Sequence, residues 1–507
     1  MVAALPDRCG PRPRGPGIVR DVDERLLTDA DLALLPGHGQ RSPWLREALA
    51  AEGDPPPAAA LDGVTAADVA IIGGGYTGLW TAHHLVEREP ALRVIVLDAD
   101  ICGGGPSGRN GGFANSWWDE ASGLLETFGE DAARACLDEA ARSVREIGDW
   151  CRRHGVDAQY RRGGMLVVST TPAHDRRMED DVRAAAALGD PEAFRALGAD
   201  DVAARCRSPR FRTGAIMRDG ATVHPGRLVR GLRRVCMEHG VIIHEGTRVN
   251  RVADGPDGRL RVVTSGGEIR ARRVVLAVNA WAGGWPVARG RILAWGSYMV
   301  RSEPIPDLVE SELGWTGGES IVDARFSVHY LHVTREGRIA IGAGGGRPGF
   351  DGRIGASFTD DVAAARRAAF AFRWLFPQLR EVRLTDAWGG PIDVSPDHLP
   401  HVWPAHGGRM WIAAGYSGNG VAPSHLVGRL LAALALDADE PITRLPIVGR
   451  PGPRFPPEPF RWVGARILRE AMIRREDAEE AGRRPGWLLR QVSRLPRRLG
   501  YHLGPGA

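Results

Sequence analysis

Short apolar runs alternate with helix-like segments near the start of this chain. Residues 69–72 form an apolar, β-branched run that predicts a buried strand, and residues 79–89 follow it with apolar positions at helical spacing. Residues 93–97 are again apolar and β-branched. Strand, helix and strand in this order predict a parallel βαβ unit.

The same two periodicities recur along the rest of the chain. Helical spacing predicts helices over residues 130–154, 172–207, 227–239, 360–376 and 423–436. Apolar runs and alternation predict strands over residues 164–169, 241–244, 247–252, 259–264, 268–271, 273–278, 291–301, 327–333, 337–342 and 410–414.

These patterns predict two interleaved domains, and a chain of 507 residues exceeds a single compact core. The fold class we expect is α/β, with a Rossmann-like domain and a second α+β domain built on an antiparallel sheet. The predicted segments are 1–64 for an N-terminal extension and linker, 65–116, 215–285 and 381–449 for the Rossmann-like domain, 117–214 and 286–380 for the second domain, and 450–507 for a basic helical extension. Within the N-terminal extension, Pro and Gly dominate residues 11–17, whereas Trp44 could anchor onto the body.

Composition narrows the class of protein. The hydrophobic and charged fractions, 43% and 25%, are ordinary for a globular protein. No apolar run approaches the roughly 20 residues that span a bilayer, and the N-terminus lacks a signal-peptide core. The six cysteines show neither C-x-x-C nor metal-ligand spacing, so we expect a cytoplasmic protein with reduced thiols and no metal.

Charge is unevenly distributed. Residues 451–507 hold twelve arginines and six acidic residues, a net charge of +6, which leaves −2 for residues 1–450 out of the total of +4. The body therefore gives no support for nucleic-acid binding. The chain contains no lysine, which excludes Schiff-base chemistry and a lysine general base.

The glycines after the first strand carry the first chemical motif. Gly73, Gly75 and Gly78 have the G-x-G-x-x-G spacing, with Tyr76 and Thr77 inside it. Such a turn lets the backbone approach a pyrophosphate at a helix N-terminus. Asp98 follows the second strand, twenty residues after Gly78, where an acid can bind ribose hydroxyls and disfavours a 2′-phosphate.

Two further glycine-rich stretches and one strand end extend this motif. Residues 103–112 carry Ser107, Arg109 and Asn110 among six glycines, which predicts either a second loop on the cofactor or a flexible surface loop. Asn279 ends the strand over 273–278, where it either lies beside a nucleotide or only finishes a loop. Residues 410–436 repeat the strand, glycine loop and helix of the first motif, and that helix N-terminus could stabilise negative charge on a flavin.

Together these stretches resemble the FAD-dependent oxidoreductases of the D-amino-acid oxidase family, and within it the bacterial γ-glutamylputrescine oxidase-like branch. The resemblance covers roughly residues 65–445. It rests on four motifs: Ile71-Ile-Gly-Gly-Gly-Tyr-Thr-Gly-Leu79, Ser107-Gly-Arg-Asn-Gly-Gly112, Trp388-Gly-Gly390 with Pro396-Asp397, and Gly415-Tyr-Ser-Gly-Asn-Gly420.

The resemblance implies FAD as the cofactor and a set of residues that hold it. These are Gly73, Gly75, Tyr76, Thr77, Gly78, Asp98, Ser107, Gly108, Arg109, Asn110, Gly111, Gly112, Val249, Asn279, Gly415, Gly418, Asn419, Gly420 and Val421. It also implies oxidation of a C–N bond in an amine or amino acid, with hydride transfer to flavin N5 and hydrolysis of the imine. No side chain is named as catalytic.

Substrate contacts are predicted at four positions. Tyr298, Tyr330 and His332 lie on strands, where an aromatic side chain either faces a substrate or packs in the core, and Trp388 belongs to a family motif. Glycine-oxidase relatives bind the substrate carboxylate with an arginine where this chain has Thr334, which favours amines. Arg301, Arg325 or Arg335 could still reach a carboxylate.

The electron acceptor and the tail leave alternatives open. Sarcosine-oxidase relatives use a lysine for reaction with oxygen, so the acceptor here is oxygen or a quinone or other carrier. The basic, amphipathic tail indicates contact with an anionic membrane, packing on the body, or a homo-oligomer contact. Two rival functions use the same first motif: a NAD-dependent reductase and a non-catalytic nucleotide-binding protein.

Overall fold

The computed structural model of the protein describes residues 24–37, 41–255, 257–450, 454–498 and 501. Its strands are β1 Gly63–Ile72, β2 Val94–Leu97, β3 Phe113–Asn115, β4 Met165–Val168, β5 Phe194–Leu197, β6 Gly214–Met217, β7 Gly220–Thr222, β8 Ile242–His244, β9 Val249–Asp254, β10 Leu260–Thr264, β11 Gly267–Leu276, β12 Leu293–Ser302, β13 Ser320–Asp323, β14 His329–Val333, β15 Ile339–Ala343, β16 Leu384–Val394, β17 His401–Ala405 and β18 Met410–Ala414. Its helices are α1 Asp29–Ala33, α2 Pro43–Ala51, α3 Tyr76–Arg88, α4 Ala121–Phe128, α5 Glu130–Arg153, α6 Glu179–Ala187, α7 Ala199–Arg205, α8 Pro225–Glu238, α9 Pro306–Leu308, α10 Val362–Leu375, α11 Val421–Ala435, α12 Phe460–Glu480 and α13 Trp487–Arg498.

The first sheet is the Rossmann-like layer. Its main strands lie in the order β17-β18-β11-β1-β2-β8, and β10 joins β9 to β11 at one side. β1 pairs in parallel with both β11 and β2, and its last four residues are buried. A strand buried on both faces needs the continuous apolar run that residues 69–72 provide. The predicted α/β fold with a Rossmann-like domain is confirmed.

The second sheet is the main layer of the other part of the protein. Its eight strands lie in the order β16-β12-β15-β14-β13-β4-β6-β5. All neighbouring pairs are antiparallel except β13 with β4, which is parallel. α10 packs on this sheet through buried alanine and phenylalanine side chains, including Ala368, Phe372 and Phe376. The prediction of a second α+β part with a mainly antiparallel sheet is confirmed.

Two strands lie in a different sheet from the one implied by the predicted segments. β6 and β16 belong to the second sheet, although segments 215–285 and 381–449 were assigned to the Rossmann-like domain. Trp388-Gly-Gly390 is strand interior because it pairs antiparallel with β12, and a Cβ at Gly389 would lie 2.5 Å from the ring of Tyr298 on that strand. The domain boundaries themselves stay a prediction.

The helical prediction for residues 172–207 is wrong in its middle. α6 and α7 are separated there by β5, which pairs antiparallel with β6 at the edge of the second sheet. Four residues between two polar helices carry too little periodicity to be recognised, and the pairing partner decides their conformation.

The N-terminal extension packs on the body from α1 onward. Asp31 on α1 is buried and pairs with Arg373 on α10 through two hydrogen bonds of 2.9 Å. Trp44 and Leu45 on α2 are 1% and 0% exposed. Residues 11–17, where Pro and Gly dominate, lie outside the described residues. Within the described ranges, none of the helices combines the length and the apolar character needed to cross a bilayer.

α3 and α11 pack closely because Gly428, the residue of α11 that faces α3, has no side chain. A Cβ at Gly428 on α11 would lie 2.4 Å from Cβ of Trp80 and 3.0 Å from the backbone nitrogen of Thr81 on α3. Trp80 is fully buried and its ring lies edge-on to the ring of Trp150 at 4.8 Å, so it cannot move aside cheaply.

We therefore predict that Gly428→Ala destabilises the protein by about 1–3 kcal/mol, the usual cost of overpacking a core. The measurement is the unfolding midpoint in denaturant, followed by tryptophan fluorescence. Gly464→Ala on α12 is the matched control, because a Cβ there meets nothing within 4 Å. Equal midpoints for the two variants would show that the α3–α11 contact tolerates a methyl group.

Candidate functional site

The turn between β1 and α3 has the geometry of a nucleotide-binding turn. Gly73 has a φ of +112°, and a Cβ there would lie 2.3 Å from the carbonyl oxygen of Ala277 on the neighbouring strand end. A Cβ at Gly78 would lie 1.9 Å from the carbonyl oxygen of Gly73. α3 begins at Tyr76 without a side-chain cap at Gly75. The turn therefore presents backbone and a positive helix end to the space in front of it.

The loop over residues 103–112 closes over this turn. The Ser107 hydroxyl oxygen accepts from the backbone N–H of Tyr76 at 2.9 Å. Asn110 holds the loop in shape: its amide donates to the Ser107 carbonyl at 2.9 Å, and its Oδ1 accepts from the Gly112 N–H at 2.8 Å. A Cβ at Gly108 would lie 2.3 Å from the Gly103 carbonyl oxygen, so the loop folds closely on itself.

Arg109 fastens the same loop to the second sheet. Its guanidinium donates to the carbonyl oxygens of Gly104 and Gly389, both at 3.1 Å. Trp388 Nε1–H in turn donates to the Arg109 carbonyl oxygen at 2.9 Å. Arg109 thus joins the loop to β16, and its predicted place beside the cofactor phosphates stays a prediction.

Asp98 lies at the end of β2, beside the glycine turn. Its carboxylate accepts from the backbone N–H groups of Gly74 and Asp100, both at 2.8 Å. Burial raises the pKa of Asp98 to about 6, although these two donors act to lower it. Asp98 lines a cleft in front of the glycine turn together with Thr247, Arg248 and Val249.

The last glycine motif, residues 415–420, forms another part of the site. Gly415 and Gly418 have φ values of +95° and +93°, and α11 begins at Val421 without a side-chain cap at Gly420. A second uncapped helix N-terminus is therefore placed at the site.

Asp393 on β16 holds this motif in place. Its Oδ2 accepts from the Gly415 N–H at 2.6 Å, and its Oδ1 accepts from the Asn279 side-chain amide at 2.7 Å. Burial raises the pKa of Asp393 to about 7. Asn279 itself has a positive φ of 47°, which an asparagine tolerates better than most residues.

The two glycine motifs meet directly. The Thr77 Oγ1 and Tyr416 hydroxyl oxygens are 2.7 Å apart, and both residues are buried. Between the motifs lies a cleft of about 310 Å³. The predicted cofactor residues that line it are Gly73, Gly75, Tyr76, Thr77, Asp98, Ser107, Asn110, Val249, Asn279, Gly418, Gly420 and Val421.

The other predicted cofactor residues are Gly78, Gly108, Arg109, Gly111, Gly112, Gly415 and Asn419, which are outside this lining. Sequence reasoning missed Trp285, Ile392 and Asp393, which line the cleft. Their signal was weak, because a tryptophan or an aspartate near a strand end has many other roles. A cleft lined by two uncapped helix N-termini fits a flavin dinucleotide, whose pyrophosphate and ring system both carry or develop negative charge.

A larger cleft, of about 750 Å³, lies elsewhere and has a different character. Its lining is dominated by paired charged residues such as Arg429 with Glu139 at 2.9 Å. His83, Glu87 and His154 lie near it with ligand atoms within 4.8 Å of one another, but Trp150 Nε1–H donates to His83 Nε2 at 3.0 Å. Because this bond occupies one imidazole nitrogen and leaves the proton on the other, we assign no metal to the group. The glycine-lined cleft is therefore the candidate functional site.

The four predicted substrate residues lie in two different environments. The Tyr298 hydroxyl donates to the Ser357 carbonyl at 2.7 Å and accepts from the Asp361 N–H at 2.9 Å, and the residue is fully buried. The Tyr298 hydroxyl is therefore engaged within the core, and its predicted contact with a substrate stays a prediction. Tyr330, His332 and Trp388 instead cluster around the end of the 103–112 loop.

That cluster forms an aromatic wall beside the loop. Phe113 makes edge-on contacts with the rings of Tyr330 and His332, at 5.8 and 5.7 Å between centroids. A Cβ at Gly111 would lie 2.4 Å from the Phe113 ring and 3.1 Å from the Tyr330 ring. Burial lowers the pKa of His332 to about 4, so the ring is neutral at physiological pH.

Trp44 of the N-terminal extension completes this wall from outside. Its ring stacks on His332 at 5.9 Å and meets Trp388 edge-on at 5.7 Å. The Arg301 guanidinium lies 5.0 Å from the centre of the same ring. Ser42, just before Trp44, donates from its hydroxyl to the Gly108 carbonyl. The extension therefore supports the loop on the side away from the cleft.

Comparison with known proteins agrees with this geometry. A family model described as "DAO: FAD dependent oxidoreductase" matches residues 68–434. A probable oxidoreductase OrdL of Rhizobium meliloti is 30% identical over 74% of this chain and 84% of its own length. A gamma-glutamylputrescine oxidoreductase of Escherichia coli is 29% identical over 78% and 91%.

Solved structures show the same fold. L-proline dehydrogenase from P. horikoshii superimposes with a TM-score of 0.61 at 20% identity, over 77% of this chain and 96% of that one. Glycine oxidase from Geobacillus kaustophilus gives a TM-score of 0.61 at 21% identity, over 76% and 99%.

The class of protein is a flavoprotein oxidoreductase. It is defined by the order of the strands in the two sheets, the two glycine motifs and the aromatic wall. The match over residues 68–434 then gives its family: the chain belongs to the DAO family of FAD-dependent oxidoreductases. The predicted resemblance and the predicted cofactor are confirmed.

We predict that Trp44→Ala weakens retention of FAD as well as stability, although Trp44 lies outside the cleft. Removing a buried tryptophan costs about 3–5 kcal/mol and frees His332, Trp388 and the loop end they support. The measurement is the FAD content and dissociation rate of the purified protein, by flavin absorbance.

Two variants make this result specific. Trp44→Phe keeps an aromatic ring against His332 and should retain most of the FAD. Leu35→Ala removes an apolar side chain of the same extension that is 62% exposed, and it should behave as the unsubstituted protein does. Full retention of FAD by Trp44→Ala would separate the extension from the site.

Proposed function

We propose that FAD extends along the cleft, with its pyrophosphate at the first glycine motif and its flavin ring at the last. Gly73, Gly75 and Gly78 would receive the pyrophosphate at the N-terminus of α3, and Asp98 the adenosine ribose. The adenine would meet the backbone at Val249. Ser107, Gly108, Arg109, Asn110, Gly111 and Gly112 would run beside the pyrophosphate and flavin, while Tyr76, Thr77, Asn279, Gly415, Gly418, Asn419, Gly420 and Val421 would enclose the rest.

The reaction we propose is oxidation of a C–N bond in a small amine or amino acid. When bound, FAD accepts a hydride from the carbon that carries the nitrogen, and water hydrolyses the resulting imine. The observation that carries this proposal is the 2.7 Å contact between Thr77 and Tyr416, which joins both glycine motifs into one cleft. The gamma-glutamylputrescine oxidoreductase relative, whose name gives an amine substrate, supports the same class.

Amines are the favoured substrates, because the nearby arginines are engaged elsewhere. Arg301 pairs with Glu47 at 2.7 Å and Asp386 at 3.0 Å. Arg335 donates to both carboxylate oxygens of Asp157, at 2.7 and 2.8 Å.

Arg325 is held in the same way, by Glu476 and Glu480 of α12. An arginine that already serves a carboxylate of the protein offers little to a substrate carboxylate. Thr334, at the place where glycine-oxidase relatives have an arginine, brings no positive charge.

The residues that we propose contact the substrate are Tyr330, His332 and Trp388. Their aromatic faces exclude water and would orient an alkyl amine beside the flavin. The Tyr330 hydroxyl already bonds to Ser297 Oγ at 2.7 Å, which fixes the ring. Tyr298 is left out of this set because its hydroxyl is used by the core.

Partners and location complete the proposal. The electron acceptor would be oxygen or a quinone or other carrier, with a carrier favoured because the chain has no lysine. The C-terminal extension would contact a membrane surface or a second copy. We propose a cytoplasmic location, which the five described cysteines support, since all are buried and free.

The proposal predicts that amines outperform the matching amino acids. Putrescine and ornithine differ only by an α-carboxylate, as do ethylamine and alanine. We expect anaerobic reduction of the bound flavin by the amine to be at least roughly tenfold faster, since an unpaired carboxylate loses a charged hydrogen bond of about 1.5–3 kcal/mol. Flavin bleaching near ~450 nm, the usual band of the oxidised cofactor, is the measurement.

Three outcomes would contradict parts of the proposal. Faster reduction by the amino acids would place a carboxylate receptor in the site. Bleaching by NADH alone would favour a nicotinamide-dependent reductase. A yellow protein that no amine or amino acid reduces would favour a non-catalytic nucleotide-binding role. Admitting air or a soluble quinone to the reduced enzyme then identifies the better acceptor.

Asp98 predicts a pH dependence of FAD affinity. The ionised carboxylate would accept the ribose hydroxyls, so binding favours the charged form of a group whose pKa is raised to about 6. Affinity should therefore rise between pH 5 and pH 7 and level off above. Asp98→Asn should weaken binding by about tenfold to a hundredfold at neutral pH and remove the inflection. Titration by flavin fluorescence tests both, and an unchanged inflection in the variant would assign it to another group.

A further inference from the structure

The C-terminal helical hairpin, α12 with α13, lies beyond the part of the chain that the family model covers. The two helices run antiparallel: Arg475 donates to Ser493 Oγ at 3.3 Å, and the Tyr501 hydroxyl returns to the Arg454 carbonyl at 3.2 Å. The hairpin is therefore one folded unit with an inner and an outer side.

The inner side is built from acidic and apolar residues. Glu476 is 1% exposed; it accepts from the Ser327 N–H at 3.3 Å and pairs with Arg325 at 3.5 Å. Glu479 pairs with Arg177 at 3.3 Å. Ala471, Met472 and Ile473 are buried beside these ion pairs. The acids of the hairpin thus attach it to the body.

The exposed charge on and beside the hairpin is mostly positive, and the partly exposed Glu470 pairs with Arg474 at 2.7 Å. The exposed charged residues among 454–496 are all arginines: Arg454, Arg466, Arg474, Arg483, Arg484, Arg490 and Arg494. The acidic residues of the same range are all buried or partly buried. Residues 454–496 hold ten arginines and six acidic residues, a net charge of +4, so their seven exposed arginines present more positive charge to the surroundings than this net charge indicates.

Large apolar side chains share this outer side with the arginines. Phe460, Val463 and Ile467 follow at spacings of three and four on α12, and they are 70%, 43% and 57% exposed. One face of a helix has this spacing. On α13, Trp487 and Leu488 are 68% and 66% exposed. The Arg466 guanidinium lies over the Trp462 ring on α12, 4.6 Å from its centre.

We propose that the outer side of this hairpin binds the surface of an anionic membrane. Helices with exposed aromatic and aliphatic residues flanked by arginine insert the apolar side chains at the level of the headgroups, and the arginines bind anionic lipid. A second copy of the chain is less well matched, because the rest of the body carries a net charge of only −2. This inference holds whichever amine is oxidised, and it would place the enzyme where membrane-dissolved quinones are found.

Sedimentation of the purified full-length holoenzyme with lipid vesicles tests the proposal. We expect binding to vesicles that contain phosphatidylglycerol, little binding to pure phosphatidylcholine, and release at high salt, because screening weakens exposed charges. Phe460→Ser with Ile467→Ser should reduce the partition constant at least roughly tenfold, and Arg490→Gln with Arg494→Gln should do so through the loss of charge.

Val64→Ser is the matched control, because Val64 is an apolar residue on β1 that is 66% exposed. It should bind vesicles as the unsubstituted protein does, and all variants should keep the flavin spectrum and the rate with a soluble acceptor. Three results would overturn the proposal: no binding to anionic vesicles, binding that ignores both lipid charge and salt, or a dimer in solution that the Phe460→Ser, Ile467→Ser variant dissociates.

Discussion

The hydrogen bond between Thr77 and Tyr416 is the constraint on which the site depends. These residues are 339 positions apart in sequence, one in the first helix of the βαβ unit and one in the last glycine loop. Both are buried, so an unpaired hydroxyl on either side would cost about 1–3 kcal/mol. The bond therefore requires α3 and α11 to begin at the same place, and Gly428 allows the two helices to pack closely behind it.

A second constraint acts on the loop between these helix ends. The 103–112 loop is rich in glycine and has little side-chain packing of its own, so its shape comes from its neighbours. Ser107 ties it to α3, Arg109 ties it to β16, and Ser42 ties it to the N-terminal extension. Trp44 then supports the aromatic wall at its end. Three separate parts of the chain thus determine one backbone segment, which pre-organises it for a ligand.

Much of this arrangement was predictable because it rests on local physical demands. Gly73 and Gly78 have no space for a Cβ, and such positions leave a readable spacing in the sequence. The buried run of β1 and the helical spacing of α5 are equally local signals. The family motifs then indicated the cofactor, which the match over residues 68–434 confirmed.

What could not be predicted depends on partners that are distant in sequence. β5 becomes a strand because β6 offers it hydrogen bonds, and β16 extends through Trp388-Gly-Gly390 because β12 pairs with it there. The role of Asp393 is set by Gly415 and Asn279, neither of which is near it in sequence. The core position of Tyr298 likewise follows from Ser357 and Asp361.

The use of arginine links the fold to the choice of substrate. A guanidinium has five donors in a plane, so it can be buried when carboxylates and carbonyls surround it. Arg373, Arg301 and Arg325 are buried in this way, each facing acidic residues from another segment. Because these cations hold the chain together, their charge is already neutralised by carboxylates of the protein. Under the proposed function, substrate recognition would then rest on the neutral aromatic surfaces of Tyr330, His332 and Trp388, which suit an alkyl amine better than a carboxylate.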